Sequence, residues 1–301
     1  MDEACLDQLR RVVAAHPAAA RAGGRSVLVG LIGRGIQLSR TPAMHEREAA
    51  RLGLGCAYVL VDFDVLGLPD AALPGILAAG RALGFQGFNV THPFKQAILA
   101  CLDELAPEAA AIGAVNTVVY AEGRTTGHNT DSWGFAEGFK AGLGDVPRGM
   151  VVQFGAGGAG AAVAHALMQL GTGALGLFDS APDRAHALAD RMRRNWGDRV
   201  RVVEDAAGAL AAADGVVNTT PVGMAKYPGT PFPDGHLRRE LWVAEIIYFP
   251  AETALLRAAH ALGCRTLAGT GMAIGQAVRA FELFTGRKST MASMAGHFEA
   301  A

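Results

Sequence analysis

Short apolar runs alternate with amphipathic segments along most of this 301-residue chain. In the first half, three apolar runs are typical of buried strands: SVLVGLIG (26–33), CAYVLVDF (56–63) and GFNV (87–90). Two segments are typical of helices: PAMHEREAARLG (42–53), which begins with proline and ends with glycine, and a stretch near 69–84. The segment 116–131 predicts a hairpin. This half is therefore predicted to be an α/β unit.

The second half repeats the alternation more strictly. It opens with a strand, a glycine loop and a helix in GMVVQFGAGGAGAAVAHALMQLG (149–171). Five further apolar runs predict strands, at 174–179, 199–204, 214–220, 242–248 and 265–269. Strict alternation of strand and helix implies parallel pairing through right-handed crossovers, and hence a doubly wound sheet. A closing helix over about 272–285 has no strand after it, so we expect it to pack back onto the first unit.

The predicted fold class is α/β, and the length allows two ordinary domains, each with its own core. We place the first domain at 1–129, completed by 272–301, and the second at 130–271. Residues 1–26 are alanine-rich and end in AGGR, so they are expected to form a peripheral, partly mobile extension.

Composition narrows the classes of function. Half of the residues are hydrophobic, 18% are charged and the net charge is -1. The composition therefore does not indicate the excess of positive charge that proteins use to bind nucleic acid or an anionic membrane surface. The opening MDEACLDQLRRVV lacks the continuous apolar core of a signal peptide, so we expect a cytoplasmic protein. No metal site is predicted, because the four cysteines lie far apart and have no histidines at zinc-ligand spacing: Cys5, Cys56, Cys101 and Cys264.

The glycine loop has the context of a dinucleotide-binding fingerprint. Gly155, Gly157 and Gly160 follow an apolar strand and open an apolar helix, and Asp179 stands at the end of the next strand. The helix amino end would supply an anion site for a pyrophosphate. A glycine-rich turn that binds no ligand is the alternative interpretation.

Asp179 also bears on the choice of cofactor. A carboxylate can accept hydrogen bonds from both ribose hydroxyls of NAD, but it would repel the 2′-phosphate of NADP. At a separation of ~4 Å, each pair of like charges costs ~1 kcal/mol in water and ~4 kcal/mol at an effective dielectric of 20. Arg184 could partly offset this repulsion, although Asp183 beside it restores negative charge. The pattern therefore favours NAD, with NADP as the less favoured alternative.

Polar side chains of the first half cluster at predicted strand ends and helix entrances. They are Ser39, Thr41, Asn89, Thr91, Lys95, Asn116 and Asp131. Hydroxyls, amides, one cation and one carboxylate suit a polyhydroxylated carboxylic acid, and the last two can move a proton. Each also has a structural alternative: Ser39 or Thr41 as a helix cap, Asn116 as a turn residue, and Asp131 as the cap of a helix over 132–139.

Lys95 lies just after Pro93, where a helix is predicted to begin. The amino end of a helix disfavours an ammonium group, so this position breaks a local rule, as working sites often do. A helix terminus and partial desolvation would both favour the neutral amine that a general base needs. A solvated surface lysine is the alternative interpretation.

Eight segments resemble, in order, the successive blocks of the shikimate/quinate dehydrogenase family across about 27–285: LIGRGIQLSRTPAMHE, GFNVTHPFKQ, IGAVNTVV, GHNTDSWGF, VVQFGAGGAG, NTTPVGM, IIYFPAETALL and GTGMAIGQA. The resemblance implies an N-terminal α/β substrate domain and a Rossmann-type NAD-binding domain. It also implies oxidation of a ring hydroxyl of shikimate or quinate to the 3-dehydro ketone, with hydride passing to a nicotinamide cofactor.

Carried over position by position, the resemblance assigns three groups of residues. The catalytic pair is Lys95 and Asp131. The substrate-binding positions are Ser39, Thr41, Thr91, Asn116, Tyr248 and Gln276. The cofactor-binding positions, with the loop glycines, are Gly155, Gly157, Gly158, Ala159, Gly160, Asp179, Arg184, Thr220, Ile246 and Gly269.

The chain departs from the shikimate-specific, NADP-using pattern at two places. Thr41 stands where those members have serine, and Asp179-Ser180-Ala181 replaces their Asn-Arg-Thr group, so the resemblance is closer to the NAD-linked quinate/shikimate branch. Glu245 stands where an aspartate is common in the family.

We therefore expect NAD-dependent oxidation of quinate and shikimate by a monomer or homodimer that has no nucleic-acid or membrane partner. The alternatives are a biosynthetic shikimate dehydrogenase, an enzyme for an amino-substituted analogue, and a non-catalytic sensor of NAD and a cyclohexane acid.

Overall fold

The computed structural model describes residues 3–17 and 26–300, and the chain divides into two compact units. Unit 1 comprises Met1–Thr130 and Ala277–Ala301, and unit 2 comprises Asp131–Gln276. The chain thus passes between units after Thr130 and after Gln276, where the sequence placed the boundaries after 129 and 271. Part of the extension predicted to be mobile, at 18–25, lies outside the described residues.

Unit 1 contains a six-stranded mixed sheet. Its strands are β1 (Ser26–Gly33), β2 (Gly55–Asp62), β3 (Gly87–Val90), β4 (Glu104–Leu105), β5 (Thr117–Ala121) and β6 (Arg124–His128), in the spatial order β2-β1-β3-β5-β6-β4. Its helices are α1 (Glu3–Ala14), α2 (Thr41–Arg51), α3 (Leu73–Ala82), α4 (Pro107–Ile112), α11 (Met291–Glu299) and the last part of α10 (Thr270–Thr285). β1 lies parallel to β2 and β3, and β5 and β6 form the predicted hairpin.

The core of unit 1 lies against its central strands, where nearly continuous apolar runs bury Val61, Phe88 and their neighbours. The prediction of a peripheral amino-terminal extension is wrong for α1. This helix packs on α3 and completely buries Leu9, while Cys5 is only 2% exposed. Its apolar residues recur on one face, and that face joins the core.

The segment after β3 does not form the predicted α-helix. His92 to Gln96 form successive turns, and a 3₁₀ helix follows over Ala97–Cys101. Phe94 is 1% exposed and packs on Phe63, with ring centroids 4.6 Å apart. Lys95 therefore stands in a turn fixed by the burial of its neighbour and does not lie at the amino end of an α-helix.

Unit 2 contains a six-stranded parallel sheet, as predicted. Its strands are β7 (Met150–Phe154), β8 (Ala174–Phe178), β9 (Val200–Val202), β10 (Gly215–Asn218), β11 (Trp242–Glu245) and β12 (Thr266–Leu267), in the order β12-β11-β10-β7-β8-β9. Its helices are α6 (Gly158–Gln169), α7 (Pro182–Trp196), α8 (Ala206–Ala212), α9 (Ala254–Leu262), most of α5 (Thr130–Leu143) and the start of α10. The strand order reverses between β7 and β10, so the topological switch point of this doubly wound sheet lies there.

The closing helix packs on unit 1, as predicted. The ring centroids of Phe281 and Phe284 lie 5.9 Å and 6.0 Å from the buried imidazole of His45 on α2. A further helix, α11, packs on α2 and was not predicted.

The contact between α11 and α2 centres on Glu48, whose side chain is completely buried. Its carboxylate accepts hydrogen bonds from Arg51, Ser289 and Ser293, and His297 also contacts it at 3.0 Å. The Arg51 guanidinium lowers the pKa of Glu48 to about 2, burial opposes this shift, and the two serines and His297 support it. The carboxylate is therefore ionised at neutral pH and holds the last helix of the chain.

Candidate active site

Strand topology brings predicted site residues of unit 1 to one edge of its sheet. β1 and β3 are parallel neighbours that end at Gly33 and Val90, so the segments that carry Ser39 and Thr91 leave the sheet side by side. β5 runs antiparallel to β3, and its start therefore meets the end of β3. The Val90 N–H donates to the Asn116 carbonyl at 2.8 Å, which places Asn116 at the same edge.

Asp62, at the end of β2, shapes the segment between β1 and α2. Its carboxylate accepts hydrogen bonds from the Gly35 N–H at 3.0 Å, the Ile36 N–H at 3.0 Å and the Gln37 side-chain amide at 2.9 Å. Burial raises the pKa of Asp62, but these donors outweigh it, so the pKa lies below its usual value. Sequence reasoning missed Asp62, because one acidic residue at the end of an apolar strand carries no signal of its partners.

Ser39 and Thr41 lie at the start of α2. Thr41 is the first residue of the helix, Arg40 precedes it as the N-cap, and no side chain caps the helix there. The Thr41 N–H donates to the Ser39 hydroxyl at 3.3 Å. Thr41 is therefore not the N-cap that the alternative interpretation suggested, and both half-buried hydroxyls stand beside the helix entrance.

The backbone of Lys95 is held on two sides. Its carbonyl accepts a hydrogen bond from the Val115 N–H at 2.8 Å, and the preceding Phe94 N–H donates to the Thr91 carbonyl at 2.8 Å. Lys95 is half-buried, one residue after the buried ring of Phe94. Because Val115 directly precedes Asn116, the hydrogen bond from Val115 brings Lys95 and Asn116 to the same part of unit 1.

Asn116 has its side-chain amide engaged within unit 1. Its Oδ1 accepts from the Thr130 N–H at 2.8 Å and from the Thr117 hydroxyl at 3.1 Å, and its Nδ2 donates to the Thr130 hydroxyl at 2.9 Å. Asn89 extends this network, donating to Thr117 at 3.0 Å and accepting from the Tyr58 hydroxyl at 2.8 Å. These side chains fix the entrance to α5, and Asn116 keeps one amide hydrogen for another partner.

Asp131 is the second residue of α5 and is only 4% exposed. The helix begins at Thr130, so Asp131 lies in the first turn, and it is not the cap of a helix that begins at 132. A carboxylate in a first turn is stabilised by the helix dipole.

In unit 2, the three fingerprint glycines have three different reasons to be glycine. Gly155 has φ +101°, a conformation that side chains rarely adopt. A Cβ on Gly160 would collide with the Gly155 carbonyl, so close packing requires glycine there. A Cβ on Gly157, the N-cap of α6, would meet no atom within 4 Å. The chain itself thus leaves the space above Gly157 open, and a diphosphate at the α6 amino end would fill it.

The side chain of Gln153 holds the backbone of the same glycine loop. Its side chain is completely buried in β7, and its Nε2 donates to the Gly155 carbonyl at 2.8 Å and to the Gly160 carbonyl at 2.9 Å. The Thr219 hydroxyl also bonds the Gly155 carbonyl, at 2.9 Å. Sequence reasoning missed Gln153; a polar residue inside an otherwise apolar parallel strand was the available signal.

Asp179 directly follows β8, and backbone donors hold its carboxylate. Oδ2 accepts from the Ala156 N–H at 2.8 Å, and Oδ1 accepts from the Ala181 N–H at 2.9 Å. A carboxylate has about four lone-pair positions, so two stay available for the ribose hydroxyls of a dinucleotide. Arg184 lies on the exposed side of the first turn of α7.

The remaining cofactor positions of unit 2 lie after β10, β11 and β12. Thr220 donates from its N–H and its hydroxyl to the Asn218 side chain, at 3.0 Å and 2.7 Å. A Cβ on Gly269 would collide with the Ile246 carbonyl, so these two predicted positions are brought together. The residues present thus fit a dinucleotide along the carboxyl ends of the strands.

Tyr248 and Gln276 are the predicted substrate positions of unit 2. The Tyr248 side chain is 37% exposed, and Gln276 is half-buried, with its Nε2 donating to the Ala273 carbonyl at 3.0 Å. Helices α5 and α10 approach closely here, because a Cβ on Gly134 would lie 2.6 Å from the Gln276 nitrogen. The helix that carries Asp131 therefore packs on the helix turn that carries Gln276.

The described residues include no helix long and apolar enough to cross a membrane. Within the same part of the chain, no three His, Cys, Asp or Glu side chains are grouped so that they could hold a metal ion.

Two family matches agree with this arrangement. Residues 31–118 match the shikimate dehydrogenase substrate binding domain, and residues 269–289 match the shikimate 5'-dehydrogenase C-terminal domain.

Two curated relatives cover most of the chain. It is 54% identical over 266 residues to a shikimate dehydrogenase (NADP(+)) of Streptomyces avermitilis, covering 87% of this chain and 91% of the relative. It is 50% identical over 277 residues to a quinate/shikimate dehydrogenase (NAD(+)) of Corynebacterium efficiens, covering 91% of this chain and 98% of the relative.

A solved structure is similar over the same extent. The quinate dehydrogenase from Corynebacterium glutamicum in complex with NAD has a TM-score of 0.85 and 48% sequence identity. The match covers 92% of this chain and 99% of that structure.

Proposed function

This chain belongs to the shikimate dehydrogenase family, a family of pyridine-nucleotide-dependent oxidoreductases, and from that premise we propose that it oxidises quinate to 3-dehydroquinate and shikimate to 3-dehydroshikimate with NAD. The observation that carries the proposal is the carboxylate of Asp179, which two backbone N–H groups hold at the end of β8. This is where the ribose hydroxyls of NAD bind in a doubly wound sheet.

We assign Lys95 as the general base. Oxidation of a ring alcohol releases a hydride from carbon and a proton from oxygen, and bound NAD would supply the hydride acceptor. A base within hydrogen-bond reach must take the proton, which typically contributes ~10²–10⁴ in rate. Lys95 is half-buried in a turn fixed by Phe94 and Val115, and its amine provides a basic group at this edge of unit 1. Asp131 is assigned as its partner in the catalytic pair.

We assign the substrate contacts to the polar groups at the two edges. In unit 1 these are the hydroxyls of Ser39, Thr41 and Thr91 and the remaining amide hydrogen of Asn116, and in unit 2 they are Tyr248 and Gln276. Quinate has a saturated ring and one more hydroxyl beside its carboxylate than shikimate. Thr41 and Ser39 are assigned to the carboxylate end of the substrate, because both half-buried hydroxyls stand at the start of α2 and Thr41 does not cap this helix.

A second candidate is a shikimate dehydrogenase that prefers NADP. It is favoured by the 54% identity to the Streptomyces avermitilis relative that bears that name. The exposed guanidinium of Arg184, in the first turn after Asp179, is the group that a 2′-phosphate would use.

One set of assays separates these candidates. The purified protein is given quinate or shikimate with NAD or NADP, and kcat/KM is measured for the four combinations. We expect turnover of both acids, with NAD favoured over NADP by at least about tenfold, the size of a single charge repulsion. Absence of quinate oxidation, or a preference for NADP, would reject the proposal.

A further inference from the structure

Two polar side chains meet at the carboxyl ends of neighbouring strands in unit 2. β10 and β11 pair in parallel with Asn218 opposite Glu245, and these are the last residues of their strands. The Asn218 amide donates to both carboxylate oxygens of Glu245, at 3.1 Å and 2.9 Å. Both residues are buried, with Glu245 only 1% exposed.

Each of these side chains also holds the loop that follows a strand. Asn218 donates to the Val222 carbonyl at 2.9 Å and accepts from Thr220, which fixes the loop after β10. Glu245 accepts from the Ile247 N–H at 3.1 Å and from the Thr253 hydroxyl at 3.2 Å, which fixes the segment between β11 and α9. One amide-carboxylate pair therefore connects two loops.

The two loops contain positions that the proposed function assigns to ligands. Thr220 lies in the first loop, and Ile246 and Tyr248 lie in the second. Glu245 itself lies beneath them, at the end of an interior strand. It is therefore placed to act on ligand binding through the loops.

Glu245 is an unfavourable residue for stability alone. The donors that the described residues provide for its carboxylate are neutral: the Asn218 amide, the Thr253 hydroxyl and the N–H groups of Ile246 and Ile247. Burial raises its pKa to about 7, although these hydrogen bonds oppose the shift. A buried carboxylate without a cation is commonly less stable than an apolar residue of similar size, so a reason other than stability is expected for its presence.

We propose that Glu245 is a positioning residue that holds the loops after β10 and β11 in the shape that binds the dinucleotide. This inference rests on the proposed function and deepens it. The carboxylate is needed because neutral donors converge on both of its oxygens, and the Asn218 amide contacts the two together. An amide in its place would turn one of these oxygens into a donor that faces other donors.

The test is Glu245→Gln, which keeps the size of the side chain and removes one acceptor. We expect the KM for NAD to rise about tenfold while kcat at saturating NAD stays within about threefold. We expect the melting temperature to be unchanged or higher, because the buried charge is gone. A merely structural residue would lower the melting temperature without this division between KM and kcat.

Three further variants define the result. Glu245→Asp keeps a carboxylate and should hold the KM for NAD within about threefold of wild type. Glu252→Gln is the matched control, because Glu252 is an exposed carboxylate in the same segment and pairs with His260. Thr253→Val removes one donor to Glu245 and also the N-cap of α9, where the Thr253 hydroxyl accepts from the Leu256 N–H at 3.3 Å. It serves if Glu245→Gln does not fold, and we expect a rise of about threefold in the KM for NAD and a lower melting temperature from the lost cap.

An unchanged KM for NAD in a folded Glu245→Gln protein would overturn the inference. The same result in Thr253→Val would overturn it if the first variant cannot be purified. If the wild type oxidises neither acid, the proposed function fails. The inference is then decided by calorimetric titration of wild type and Glu245→Gln with NAD, where an equal Kd rejects it and a weaker Kd in the variant supports it.

Discussion

The two sheet edges use their polar side chains in different ways. In unit 1, near Lys95, side chains bond mostly to one another: Asn116 to Thr130 and Thr117, and Asn89 to Tyr58. In unit 2, side chains bond mostly to main chain: Gln153 to the glycine loop and Asp179 to Ala156 and Ala181.

This difference matches two kinds of ligand. A network of side chains presents amides and hydroxyls in fixed directions, which suits a polyhydroxylated acid with many separate oxygen atoms. Side chains that hold the backbone leave backbone N–H groups to face the ligand, which suits a diphosphate at a helix amino end. The comparison is consistent with the proposal that unit 1 provides most of the substrate contacts and that unit 2 binds the cofactor, and the two parts of the proposal can be tested separately.

The largest effect is expected at Lys95. Lys95→Ala removes the proposed base and should lower kcat by about 10²–10⁴, while the Kd for NAD stays within about twofold, because the cofactor is assigned to unit 2. Stopped-flow turnover and equilibrium titration with NAD measure the two quantities. Lys140→Ala is the control, since Lys140 is an exposed lysine of α5 paired with Glu137. Near-normal turnover in Lys95→Ala would remove Lys95 from the mechanism.

The next effect is expected at the glycine loop. Gly157→Ala adds a methyl group to space that the chain leaves open, so we expect an unchanged melting temperature and a Kd for NAD that is weaker by about 10- to 100-fold. Gly296→Ala in α11 is the control, because a Cβ there also meets no atom within 4 Å. If Gly157→Ala bound NAD normally, the diphosphate would have to lie elsewhere.

A smaller effect is expected at the ribose position. Asp179→Asn removes the charge that repels a 2′-phosphate, so the ratio of kcat/KM for NAD to that for NADP should fall by about tenfold. The measurement compares both cofactors on one substrate. Asp183→Asn removes a nearby exposed carboxylate and should change the ratio much less. Equal ratios in wild type and Asp179→Asn would show that Asp179 serves only the loop backbone.

The smallest effects concern two buried carboxylates with opposite pKa shifts. The pKa of Glu48 is lowered to about 2, so its contribution to the free energy of unfolding is present above its ordinary value of 4.5 and is lost as the pH falls through about 2. The pKa of Glu245 is raised to about 7, so its contribution is present below 4.5 and is lost as the pH rises through about 7. The two pKa shifts differ in sign because Glu48 is paired with the Arg51 guanidinium, whereas the described partners of Glu245 include no cation.

Denaturant unfolding between pH 3 and pH 8 tests the pKa shifts assigned to Glu48 and Glu245. Glu48→Gln should lower the free energy of unfolding at pH 7 by about 1–3 kcal/mol, and its deficit should shrink toward pH 3. Glu245→Gln should match wild type near pH 4.5 and equal or exceed it at pH 8. Parallel pH profiles for wild type and both variants would contradict the assigned shifts.

The sequence predicted most strands, the hairpin, the parallel second sheet and the glycine loop. These features depend on local rules: apolar periodicity, positive φ at Gly155 and the close approach at Gly160. Lys95 was placed in an α-helix because the residue after proline commonly continues one, but burial of Phe94 against Phe63 stabilises a turn instead. Tertiary packing outweighed local propensity there.

The residues that sequence reasoning missed share a different property. Asp62 and Gln153 are single polar residues in or at the end of apolar strands, and their partners become evident only when strands are placed side by side. Glu48 lies on a helix with other charged residues and resembles a solvated position in sequence. Its burial depends on α11, about 240 residues later in the chain, a distance at which no periodic pattern can indicate a contact.

The discontinuity of unit 1 affects the order in which a ribosome can complete the protein. Unit 2 is one continuous stretch that can fold as soon as Gln276 has been synthesised. Unit 1 at that moment still lacks the rings of Phe281 and Phe284 and the serines that hold Glu48. Most of unit 1 is therefore synthesised before unit 2, yet its core can be completed only after the segment that follows Gln276 has been made.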